Sequence, residues 1–193
     1  IPLYGRSADN LRDHRQVTTM LNRIQKLANG VILCPTMSFD ERGHKPCAND
    51  YSCFAYSSEG ENLKAVVSDL ESFIGEGGNL EAPEMIYGKK TFEDPKDTDG
   101  RQCIAALRFQ SFTLKAGETR RFVVLLGIHN REENWKPVLE RYNSAEKVVA
   151  VLEETKIWWK NQVDRLVFMT GDPTFNNWLV WVSLQPVMRR IFG

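Results

Sequence analysis

The chain has 193 residues, 42% of them hydrophobic and 26% charged, with 25 basic residues balanced by 25 acidic ones. That length holds one ordinary domain or pieces of two, and the composition is that of a soluble globular protein. Zero net charge leaves no electrostatic footprint for nucleic acid or an anionic membrane, and the longest apolar runs, 122–128 and 178–182, fall far short of the ~20 residues a membrane span needs.

Near the start, Arg12-Asp13-His14-Arg15, with Arg6 and Asp9 nearby, is the densest polar cluster. Arginine forks and an imidazole can hold sugar hydroxyls or phosphate oxygens, although an ion-paired strand entry is the plainer reading. Residues 17–28 and 31–39 read as strands joined by Asn29-Gly30, a pair suited to the two positive φ angles of a type I′ turn. Asp40-Glu41-Arg42-Gly43-His44 holds two adjacent carboxylates, but neighbours on an extended chain face opposite ways, so a hairpin loop fits better than an acid/base pair. Residues 51–56 form a further strand. Cys34, Cys47, Cys53 and Cys103 lack CxxC spacing and sit in or beside strand-like text, which favours reduced, mostly buried thiols over a zinc site or a disulfide framework.

Residues 57–100 hold two short helix-like pieces, 67–74 and 83–87, among Gly, Asn, Asp and Pro. Gly75-Glu76-Gly77-Gly78 is glycine-rich but is neither GxGxxG nor a P-loop, so a turn is expected rather than a phosphate cradle. Residues 103–114 and 120–128 read as a second strand pair around Lys115-Ala116-Gly117-Glu118, and His129 marks the junction to helical text. The first part of the chain is thus an antiparallel sheet system, a portion of a sandwich.

A short helix is expected over 131–142. The capping box Asn143-Ser144-Ala145-Glu146 then opens a long amphipathic helix reaching Leu166. About 20 residues at 1.5 Å each make a rod of roughly 30 Å, suited to a linker. After Thr170-Gly171, Asp172-Pro173 is a helix start, with a carboxylate acceptor at the N-cap and a ring that presets φ. The helix that follows is apolar almost all round (Phe175, Trp178, Leu179, Val180, Trp181, Val182, Leu184), and Pro186 should kink it or end it nearby. Trp158, Trp159, Trp178 and Trp181 fit core positions better than sugar-stacking ones. An all-round apolar helix with no later segment to cover it, and a start without Met, lead to the expectation that the chain is a fragment of a larger protein. Nowhere does the text hold a nucleophile with a base at motif spacing.

Four stretches together resemble glycoside hydrolase family 94, the inverting sugar phosphorylases. They are Tyr4 to Arg15 (YGRSADNLRDHR), Ser38 to His44 (SFDERGH), Phe73 to Gly78 with Cys103 to Leu107 and the 114–127 strand pair, and Phe175 to Gly193 ending LQPVMRRIFG. The first and last resemble the branch acting on β-1,2-linked glucans most. The resemblance implies a β-rich sandwich portion followed by a helical linker and the first helix of an (α/α)6 barrel, an incomplete fragment of a multi-domain enzyme. Residues 1–130 would be the later part of the sandwich, 131–168 the linker and 169–193 the start of the catalytic barrel.

In that family, phosphate attacks the anomeric carbon while an aspartic acid protonates the leaving oxygen, giving an α-sugar 1-phosphate with inversion. The general acid and the phosphate-binding residues would lie beyond Gly193, so no catalytic residue and no metal ligand is carried over. Arg12 and His14 are the candidates for sugar contact. The implied partners are a β-linked glucan or disaccharide, the remainder of the same enzyme and a second copy in a homodimer. Nucleic acid and membrane are not implied. Inorganic phosphate would be a co-substrate, with no cofactor, in the cytoplasm. The competing readings are a stand-alone carbohydrate-binding sandwich and an assembly module without catalysis.

Overall fold

In the computed structural model, residues 19–40, 43–57, 63–88 and 91–189 are described. The polar cluster with Arg6, Asp9, Arg12 and His14 lies outside them. The chain divides into two units, Ile1–Ala145 and Glu146–Gly193.

The first unit is built on a four-stranded antiparallel sheet in the order β1-β2-β5-β8, formed by β1 (Ile24–Leu27), β2 (Gly30–Leu33), β5 (Asn49–Ser57) and β8 (Phe122–Asn130). β3 (Met37–Asp40) and β4 (Gly43–Pro46) form a separate hairpin, with Asp40, Gly43 and His44 in its strands and Glu41 and Arg42 outside the described residues. β6 (Ala65–Asp69) and β7 (Cys103–Arg108) pair as a second, two-stranded layer. Side chains alternate across it as the strand period requires. Val66, Cys103 and Ala105 join Val31, Leu33, Cys53 and Ala55 in the interlayer core. Val67 and Ala106 face away, toward Met85, Phe73 and Phe92. Those residues belong to α1 (Leu70–Ile74), α2 (Glu84–Tyr87) and the loop after them, so the short helices cover the outer face of the second layer.

Three local readings change. The β1–β2 hairpin forms, but its two-residue loop is Ala28-Asn29, since Leu27 pairs with Gly30. No described non-glycine residue has a positive φ, and Gly30 is not among the glycines that do, so the turn is not type I′. Gly30 serves packing instead: a Cβ there would stand 2.4 Å from the Phe54 ring and 2.5 Å from the Cys53 carbonyl oxygen. The second change is that residues 65–69 are strand and only 70–74 helix. Asp69 ends the strand and caps the helix, accepting from the Ser72 amide at 2.9 Å and its hydroxyl at 2.6 Å. The third is that β7 and β8 are not partners. The expected turn exists, with Gly117 at φ 81° and the Glu118 amide donating to the Lys115 carbonyl at 3.0 Å. The chain uses the segment to cross between layers, and β8 pairs with β5 along all nine residues.

After β8 comes α3 (Lys136–Tyr142), with Pro137 in its first turn. α4 (Ala145–Val163) begins where the capping box placed it, with Glu146 in the first turn. In the second unit, α5 (Pro173–Arg189) starts as expected: the Asp172 carboxylate accepts from the Thr174 and Phe175 amides at 2.8 and 3.2 Å. Pro186 lies inside it, and the helix is described as far as Arg189. Trp158, Trp178 and Trp181 are 45%, 54% and 56% exposed, and Trp159 is half-buried. No helix among the described residues is long and apolar enough to cross a membrane.

Candidate functional site

Among the described residues, the first unit holds a groove and a glycine-lined concavity. The larger in aromatic content is a groove of about 470 Å³ between α3 and the face of β5 and β8 that carries Ser52, Phe54 and His129. Phe54 is 1% exposed, and the Trp135 ring lies over it with centroids 5.5 Å apart and planes 29° from parallel. His129, opposite Asp50 on β5, meets the same indole at 5.4 Å. Glu133, Asn134 and Tyr142 bring polar groups to the groove. An aromatic floor with a polar rim suits a ligand that has apolar faces and hydroxyl edges.

In the sequence His129 reads as a junction, and neither Trp135 nor Phe54 stands out. The available signal was a lone tryptophan in polar text just ahead of a helix-starting proline.

The second concavity, about 550 Å³, is lined by the glycine-rich loop together with Asp69, Glu71 and Arg101. Gly75 and Gly77 take φ of 85° and 69°, the left-handed values that only glycine adopts freely. Arg101 stands 3.5 Å from both Asp69 and Glu71, so its charge is already matched by two carboxylates. Two anions beside the loop oppose phosphate binding, and the turn reading holds.

At the end of β6, Asp94 is an organiser with a buried side chain. Its side chain is 3% exposed and accepts from the Ser68 amide (2.7 Å), the Ser68 hydroxyl (2.9 Å) and the Asp69 amide (3.0 Å), while Lys26 pairs with it at 3.0 Å.

A third polar cluster ties β8 to the rest of the sheet. Arg131 donates from Nε to Asp50 at 2.6 Å and from Nη2 to the Pro35 carbonyl at 2.6 Å. Cys34 lies beside this pair, and all four cysteines are free thiols. Burial pushes the Cys34 thiol from 9.0 up to about 11, and the Asp50 carboxylate adds to the rise through its charge and a hydrogen bond from the thiol. Burial likewise raises Cys53 and Cys103. Near pH 8 the native Cys34 should therefore alkylate about 100-fold more slowly than an unperturbed thiol, because its thiolate fraction falls tenfold per pKa unit. The linkage has a definite sign. The folded pKa lies above the unfolded one, so this contribution to stability is whole below pH 9 and is lost as pH rises from 9 through 11. Iodoacetamide rates and melting temperatures across that range check both statements. Among the described residues no group of three or more His, Cys, Asp or Glu could hold a metal ion.

Residues 5–145 match the family described as glycosyl hydrolase 94, supersandwich domain. The chain belongs to glycosyl hydrolase family 94. The match falls within the first unit, Ile1–Ala145. The chain is also 26% identical over 151 residues to the cyclic beta-(1,2)-glucan synthase NdvB of Rhizobium meliloti (strain 1021). That likeness takes in 77% of this chain but only 5% of the relative's length.

Proposed function

We propose that the chain is a non-catalytic portion of an inverting β-glucan or disaccharide phosphorylase. The whole enzyme transfers a glucosyl unit to inorganic phosphate and yields α-glucose 1-phosphate. The observation that carries this is the supersandwich match over residues 5–145, a domain of a glycoside-processing family. The likeness to a protein named for β-1,2-glucan synthesis supports a β-linked glucan as the substrate class.

In this proposal residues 131–168 link the sandwich to a catalytic barrel that begins at 169–193. The capped start of α5 and its exposed Trp178 and Trp181 support that placement, since a barrel helix needs neighbours over such rings. Phosphate acts as co-substrate without a further cofactor, in the cytoplasm, and the enzyme works as a homodimer. Arg12 and His14 contact sugar from the sandwich side.

Incubation with β-1,2-linked glucan oligosaccharides and phosphate tests the reading. The complete polypeptide should release glucose 1-phosphate, and purified residues 1–193 should release none. Phosphorolysis by the 193-residue chain overturns the non-catalytic assignment. A complete polypeptide with no phosphate-dependent turnover overturns the reaction itself. In the complete polypeptide, Arg12→Ala should raise KM for the glucan about tenfold, the loss of one charge-assisted hydrogen bond. An unchanged KM removes Arg12 from the site.

A further inference from the structure

The groove over β5 and β8 holds a buried polar atom that the described fold does not use. Ser52 is 6% exposed and lines the groove, yet its hydroxyl has no hydrogen-bond partner among the described residues. A buried hydroxyl is costly to leave unmatched, so such groups normally meet water, a neighbour or a ligand. Gly127 stands directly opposite Ser52 in the β5–β8 register, on the same face. A Cβ at Gly127 would sit 3.1 Å from the Ser52 Oγ, which is the one described atom, chain neighbours aside, within 4 Å of that point. The missing side chain therefore opens a notch that leads down to the hydroxyl.

The chemistry around the notch selects the ligand. The half-buried Trp135 indole, seated on Phe54 and met by His129, gives a flat apolar surface. On the rim, Asn134 accepts the Lys136 amide on Oδ1 at 3.3 Å, which leaves its two N–H groups to donate. Glu133 adds acceptor oxygens. No described residue lining the groove is Lys or Arg, so an anion finds no countercharge there. A neutral molecule with an apolar face and hydroxyl edges finds a partner for each. The groove's volume of about 470 Å³ suits a ligand of that kind, since small-molecule sites run from about 300 to 1,000 Å³.

We propose that this groove is a holding site for a glucosyl unit of a β-linked glucan. One sugar hydroxyl enters the notch at Gly127 and hydrogen-bonds the Ser52 Oγ. The C–H face of the pyranose ring lies on the Trp135 indole, and outer hydroxyls meet Asn134 and Glu133. The site retains the glucan and makes or breaks no bond. Its ligand class rests on the proposed function, while the notch and its unmatched hydroxyl stand on geometry alone.

The test is fluorine NMR of the complete polypeptide carrying fluorotryptophan, with the Trp135 resonance assigned through Trp135→Phe. Titration with a β-1,2-linked glucotetraose should move that resonance saturably. Ser52→Ala should raise the midpoint about fivefold, the loss of one neutral hydrogen bond. Gly127→Ala puts a methyl group over the same hydroxyl and should raise it about as much. Both variants should keep the melting temperature within about 2 °C, since neither removes a contact that the fold uses. A Trp135 resonance that β-1,2-, β-1,3- and β-1,4-linked glucotetraoses all leave unmoved overturns the proposal, as does a midpoint that neither variant changes. A resonance shielded from a soluble paramagnetic agent before any glucan is added overturns it in favour of a cover from elsewhere in the polypeptide. The titration reads no turnover. Phosphorolysis with an unmoved Trp135 resonance therefore refutes the holding site alone, and a responsive groove without phosphorolysis refutes the reaction alone.

Discussion

Phe54→Ala should destabilise the sandwich unit by about 4 kcal/mol, read as a shift in the denaturant midpoint at constant m-value. The ring is 1% exposed and lies between two structures that cannot both follow it if it is removed. Below it, Gly30 brings β2 so close that even a methyl group would collide with the Phe54 ring. Above it, the Trp135 indole stacks at 5.5 Å and anchors the segment leading into α3. Truncation therefore loses the transfer free energy of a buried aromatic and leaves a cavity that the paired backbones of β2 and β5 are too rigid to close. The indole should lose its seat as well, so Trp135 fluorescence in the folded variant is expected to shift to longer wavelength. A loss below 1 kcal/mol would show that the ring is not wedged as described.

Asp94→Ala is expected to cost about 3 kcal/mol, for a different reason. The carboxylate is the acceptor for two backbone amides and one hydroxyl at the end of β6, and its side chain is 3% exposed. Removing it strands buried donors, each with a desolvation penalty of about 1–3 kcal/mol, and the small alanine gives them no replacement. The Lys26 contribution is smaller, since that ammonium is 45% exposed and its pairing is screened by water. Asp94→Asn keeps one acceptor oxygen and should lose about half as much. The same free-energy loss for both variants would place the effect in the charge and not in the hydrogen bonds.

The two residues with the largest expected effects were not legible as such. Asp94 stands in loop text, and nothing near it in the chain announces that Ser68 and Asp69 need an acceptor there. Phe54 was legible as a strand residue but not as the floor of a groove, because its ceiling, Trp135, comes from a segment 81 positions away that reads as polar loop. The sugar-contact candidates Arg12 and His14 were readable only as a dense polar cluster and through the family resemblance.

What the sequence determined by itself is what short windows carry. Asp172-Pro173 placed the start of α5, and Asn143-Ser144-Ala145-Glu146 that of α4, because a helix end satisfies its orphan amides within one turn. Residues 51–56, 103–114 and 120–128 read as strands, and the change of period near residue 130 separated sheet from helix. Four motif stretches sufficed to indicate the family. Tertiary structure alone decided which strands meet. β7 and β8 are neighbours in the chain with a good turn between them, yet β7 pairs with β6 and β8 with β5. A turn brings two strands close, but burial of Cys103 and Ala105 against Val31 and Leu33 fixes the layer to which β7 belongs. The helical expectation for 67–69 failed in the same way: Val66 and Val67 gain more from packing on opposite faces of a sheet than a local helix would return. Gly30 carries the distinction in one residue. Beside Asn29 it reads as a turn glycine, and only the approach of Phe54 from another strand shows that its missing side chain is what the fold uses.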